Sequence, residues 1–133
     1  MASFDTKRLP PAPDVTAPDG SNVRILLQLA GGSMAHFELA PGLVSIAVAH
    51  RTVEEVWYVL GGRGEMWRRE GEYSETVALE PGVCVTIPVG TAFQFKSDGP
   101  EALTAVAITM PPWPGDDEAY AVDGAWQPAL GAA

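Results

Sequence analysis

The sequence predicts a single all-β domain, and three observations carry that prediction. Short runs rich in Val, Ile, Leu, Thr and aromatic residues recur from Asn22 to Thr109. Gly and Pro clusters break them at short intervals, at Gly31-Gly32, Pro41-Gly42, Gly61-Gly62, Pro81-Gly82, Pro88, Gly90 and Gly99-Pro100. No window places apolar residues at the helical period over a useful length. At 133 residues, with 47% hydrophobic and 19% charged side chains, the chain has the size and composition of one globular domain.

Residues 1–21 form a Pro-rich N-terminal arm. Pro10, Pro11, Pro13 and Pro18 lack the N–H that a helix or central strand needs, so the arm is extended. It either lies across a sheet, its own or that of a neighbouring subunit, or is a loose tail. Residues 22–110 form the β domain. Strands are expected over Val23–Leu29, Ser33–Glu38, Val44–His50, Val53–Leu60, Gly64–Arg69, Glu75–Leu79, Val83–Ile87, Phe93–Lys96 and Leu103–Thr109. Gly61-Gly62-Arg63-Gly64 reads as a hairpin turn, since a phosphate-binding loop would need a helix start after it. Residues 111–133 form a Pro- and Trp-containing tail. Its prolines cannot pair in a ladder, and Trp113 and Trp126 are expected to fold back over an edge or an end. Asp116-Asp117-Glu118 reads as a solvated acidic turn.

Charge excludes some partners. Seventeen acidic residues against eight basic ones give a net charge of −9, which disfavours nucleic acid and anionic lipid. Cys84 is the single cysteine, so no intrachain disulfide forms, which is compatible with a reducing compartment. Flanked by Val83 and Val85, it reads as a small buried thiol. The N-terminal residues lack the apolar core of a signal peptide, and no apolar run approaches a membrane span. The expectation is a soluble cytoplasmic protein. Arg68-Arg69 reads either as a carboxylate clamp or as hairpin charges near Glu70 and Glu72.

Two segments carry the chemistry. The first runs from Gly42 through Val48 and His50 to Glu54-Glu55 and Gly61-Gly62. The second runs from Pro81-Gly82 through Pro88, Gly90 and Phe93 to Ser97. Together they resemble the two motifs of the cupin superfamily, G-x5-H-x-H-x3/4-E-x6-G and G-x5-P-x-G-x2-H-x3-N. The resemblance covers residues 23–110 in strand order and implies a cupin-like jelly-roll β-barrel. It also implies a homodimer, and a divalent metal held by the histidines and the glutamate. Here Val48 stands at the first histidine of the first motif, Phe93 at the histidine of the second, and Ser97 at the asparagine. Of the implied ligands, His50 and the glutamate remain. Glu55 fits the longer spacing, closed by Gly62; Glu54 fits the shorter one, closed by Gly61.

Strand alternation orders the side chains. Ile46, Val48 and His50 share one face. With Glu55 as the match, Trp57 and Val59 share its face; a slip to Glu54 inverts them. The pocket expected from this register is Val48, His50, Glu55, Trp57, Phe93 and Phe95. These residues either line a cavity for a small organic ligand or fill the interior. His50 and Glu55 are candidates for metal ligation (Zn, Fe, Mn or Ni, with His36 as a substitute third ligand) or for acid–base catalysis. Two ligands fall short of the usual three, so the leading expectation is a small-molecule-binding protein with no metal cofactor. The alternative is a metal-dependent enzyme of isomerase, lyase or dioxygenase type.

Overall fold

Alternating inward and outward side chains build two antiparallel sheets in a computed structural model that describes residues 4–130. The strands are β1 (Val15–Thr16), β2 (Asn22–Leu29), β3 (Gly32–Leu39), β4 (Val48–His50), β5 (Glu54–Gly61), β6 (Gly64–Glu70), β7 (Tyr73–Leu79), β8 (Cys84–Ile87), β9 (Ala92–Ser97), β10 (Leu103–Met110) and β11 (Ala119–Ala121). Six strands form the first sheet in the order β1-β2-β3-β10-β5-β8, and five form the second in the order β11-β4-β9-β6-β7. The domain is all-β, and its two facing antiparallel sheets have the arrangement of a jelly roll. Their inner faces bury one main core that includes Leu39, Val59, Met66, Leu79, Ile87, Phe95 and Leu103.

Each of the nine expected strands is present. The Val44–His50 strand is shorter than expected, with only Val48–His50 regular. The residues before it bond to other parts of the chain instead. Val44 exchanges bonds with Ala129 and Ile46 N–H donates to Asp19 O, while Ser45 N–H still donates to Phe95 O on β9. Here the N-terminal arm and the C-terminal tail take the place of a sheet neighbour.

The described part of the arm is bound to this chain's own β2. Val15 pairs with Val23 and Thr16 with Asn22. Lys7 Nζ donates to Ile25 O at 2.6 Å, Arg24 Nε to Pro10 O at 2.8 Å, and Ile25 N–H to Asp14 Oδ2 at 2.8 Å. The tail is bound as firmly. β11 pairs with β4, and the buried Gln94 amide clamps Trp126 through its backbone N–H and C=O while donating to Ser45 O.

Three expectations need correction. Gly61–Gly64 is not a hairpin turn, because β5 and β6 lie in different sheets; it is the corner between them. Gly62 has φ +76°, and a Cβ there would meet Ala102 O at 2.3 Å. Cys84 is exposed, because it alternates with the inward Val85 and Ile87. Glu118 is buried rather than solvated, at the end of a 3-10 turn over Asp116–Glu118.

Candidate functional site

A cavity of about 370 Å³ opens between the sheets. Small side chains on β3 and β10 create the space. On the inner face Ala35 lies opposite Ala107, and Ala107 opposite Trp57; in the adjacent row Ser33 lies opposite Thr109, and Thr109 opposite Glu55. Four small residues across two strands leave room that Trp57 covers from β5. Phe37 stacks on Trp57, with centroids 5.2 Å apart and planes within 9°. Ser33 and Thr109 satisfy each other through a hydroxyl–hydroxyl hydrogen bond.

His50 and Glu55 meet at the cavity wall. His50 Nδ1 lies 3.0 Å from Glu55 Oε2, and both side chains are buried. Their contact is one of proximity, since Nδ1 has no aligned hydrogen-bond partner. Glu55 Oε1 accepts a hydrogen bond from Trp57 Nε1 at 3.0 Å. Residues two apart on a strand share a face, which is why this glutamate and this tryptophan can meet. Glu54 is exposed, so the longer motif spacing is the one the fold uses. The His50 ring sits edge-on between Phe93 at 5.3 Å and Trp113 at 5.1 Å.

Val48, His50, Glu55, Trp57 and Phe93 all line the cavity, as the register implies. Phe95 does not. It lies in the core with its ring edge-on to Trp57 at 5.0 Å, supporting the wall from behind. His36 is also outside the cavity. It alternates with the inward Ala35 and Phe37 and sits across from Arg24 and Val106 on the opposite face of the sheet. Burial, and then the nearby Arg24 charge, push its pKa below the usual 6.5 despite the opposing Glu38. It cannot complete a ligand set with His50.

The arm and the tail add groups that sequence spacing does not reveal. Asp19 is buried beside the cavity, and its Oδ1 accepts bonds from Ser21 N–H at 2.9 Å and Ser21 Oγ at 2.6 Å. Burial raises its pKa above 3.8, and the Glu55 charge adds to this against the opposing Ser21 bonds and His50. The 3-10 turn closes over the β4–β5 connection. Thr52 N–H and Oγ1 donate to Glu118 at 2.6 Å each, and Val53 N–H at 3.0 Å. Burial pushes the Glu118 carboxyl up, but these bonds and nearby His50 outweigh it and hold the pKa below 4.5. Elsewhere, Arg68 pairs with Glu75 at 2.8 Å and donates to Thr86 O, the hairpin-charge alternative.

The family's metal finds no matching donor set. Among the described residues no three His, Cys, Asp or Glu side chains form a metal-binding group. Both Glu55 oxygens are engaged, and Phe93 offers a phenyl ring with no donor atom where an imidazole would coordinate. No helix among the described residues is long and apolar enough to cross a membrane.

No curated protein sequence matches the chain. Among solved structures it resembles the capsular polysaccharide assembling protein CapF from Staphylococcus aureus, with a TM-score of 0.69 and 16% identity over 81% of this chain and 33% of that one. It resembles Bacillus subtilis oxalate decarboxylase, a protein with Mn(II) centres, with a TM-score of 0.70 and 16% identity over 84% and 30%. A domain of Drosophila melanogaster CENP-C matches with a TM-score of 0.62 and 13% identity over 68% and 67%. The chain thus spans about a third of the CapF and oxalate decarboxylase chains, and at these identities the likeness is one of fold. The sequence model described as "Cupin domain" matches residues 35–109, more than half of the chain, and on that match this protein belongs to the cupin domain family.

Proposed function

We propose that this protein binds a small organic molecule in the cavity between its sheets, without a metal in the family's position. The observation that carries the reading is the cavity itself, about 370 Å³ and walled by Phe37, Trp57, Phe93 and Trp113 around the buried His50–Glu55 pair. Apolar walls with a few convergent polar groups are the usual make-up of a ligand pocket. Phe93 contributes wall area at the position where a ligating histidine would contribute a donor.

The test is calorimetric titration with a neutral aromatic alcohol. The reading predicts saturable binding at one site, abolished in Ala35→Trp, which fills the space left by a small lining residue. Heat that never saturates, or binding that survives Ala35→Trp, would contradict it. The metal-dependent enzyme reading makes a different prediction: near-stoichiometric zinc, iron, manganese or nickel in protein purified without chelators, lost in His50→Ala.

The homodimer is also a proposal. It is supported by the outer face of the first sheet, where Val56, Tyr58 and Leu60 are large and exposed in one row of β5. Light scattering that returns the monomer mass at all concentrations would remove it.

A further inference from the structure

Charge and ring chemistry inside the cavity favour one class of ligand. Among the described lining residues Asp19, Glu55 and Asp116 carry carboxyls, and none is Lys or Arg. His50 is the one lining group able to carry positive charge, and it is already held against Glu55. An anion entering this space would be desolvated beside carboxyl groups with no free cation to pair with. A cation would meet the opposite situation. Phe37, Trp57, Phe93 and Trp113 bring four aromatic rings to the same cavity, and ring faces attract positive charge.

A second observation points the same way. Asp19 is 95% buried, with 5% exposure, yet its hydrogen bonds from protein fall on Oδ1 alone among the described residues. Burial raises its pKa and Glu55 adds to this against Ser21 and His50, while the described lining holds no Lys or Arg. A positively charged guest would supply the missing compensation. The net charge of −9 adds a long-range field of the same sign.

Resting on the ligand-binding reading above, we infer that the cavity selects an organic cation, an amine or quaternary ammonium on a small apolar group, over neutral and anionic molecules of the same shape. Asp19 is the anchoring carboxylate and Trp113 the ring nearest the tail side. The arm and the tail therefore supply specificity to a site whose walls come from the sheets.

The experiment titrates the full chain with three probes of matched size: phenethylamine, phenethyl alcohol and phenylacetate. The amine is expected to bind about tenfold more tightly than the alcohol, with phenylacetate weakest. In Asp19→Asn, which keeps the Oδ1 acceptor, the ratio of amine to alcohol affinity should fall to near unity. Trp113→Leu, checked for folding by its melting transition, should lower the same ratio by a smaller factor. Added salt should shrink the amine's advantage. Phenylacetate binding as tightly as the amine would overturn the inference. If the alcohol binds and the amine gains nothing, the inference falls while the ligand-binding reading stands. If no probe binds, both fall.

Discussion

Val48 on β4 and Phe93 on β9 are direct cross-strand partners, and both face the cavity. They stand at two positions where the family's motifs place histidines. The two replaced histidines therefore form a single contact. One strand pair changes from a donor surface to an apolar wall, while the glycines and the proline that shape the turns around it remain. Gly82 and Gly90 still adopt positive φ values of +95° and +80°.

Restoring that pair should restore the metal. A Val48→His, Phe93→His double variant presents three imidazoles and Glu55 to one point, and should retain about one divalent ion per chain. Elemental analysis after purification without chelators measures this. A metal-free double variant that is still folded would mean that more than these two side chains separates the cavity from a metal site.

Glu55 joins two buried partners, Trp57 Nε1 and His50. Glu55→Ala leaves Trp57 Nε1 without an acceptor and His50 without its neighbouring carboxylate, and should cost about 3 kcal/mol. Glu55→Gln keeps an oxygen for Trp57 and should cost clearly less. Urea unfolding midpoints distinguish the two; equal losses would show that the Trp57 bond contributes little.

Glu118 ties the tail to Thr52 and Val53. Glu118→Gln removes charge from three hydrogen bonds and should cost about 2 kcal/mol. Because its folded pKa lies below 4.5, this stability is present above pH 4.5 and is lost as pH falls through the folded value. The acid limb of the stability curve should be shallower in the variant, as read by melting temperature against pH.

Asp19 has the opposite sign. Its folded pKa lies above 3.8, so the folded state holds the proton more tightly, and that contribution is lost as pH rises from 3.8 through the folded value. Asp19→Asn keeps the acceptor for Ser21 and removes the buried charge. It should melt at or above the parent temperature at neutral pH, with the difference narrowing as pH falls. A lower melting temperature at neutral pH would mean that the Asp19 charge is already compensated.

The walls of the site were legible in the sequence because a strand has period two. Knowing that His50 faces inward fixes Val48, and Glu55 fixes Trp57, without any knowledge of the rest of the fold. The same rule sets Cys84 beside Thr86 and away from Val85, but its apolar neighbours in sequence suggested burial. Phe95 shares parity with Phe93 yet lies past the end of the cavity, and parity says nothing about depth. Asp19 and Phe37 were not legible, and Trp113 was legible only as a ring folding back onto the sheets. Asp19 reaches the site because its own carbonyl accepts Ile46 N–H, and Trp113 because its N–H donates to Ser33 Oγ across 80 residues of sequence. Such contacts are set by how the arm and the tail cross the sheets, and no local spacing encodes them. The short chain between β5 and β6 suggested a hairpin, since a corner between sheets uses the same glycines.

Calorimetric titration of phenethyl alcohol into protein stripped with a strong chelator separates an organic-ligand pocket from a metal site. Saturable binding at one site is expected, unchanged when zinc, manganese, iron or nickel is added back. Binding that appears only after a metal is restored would contradict the metal-free reading.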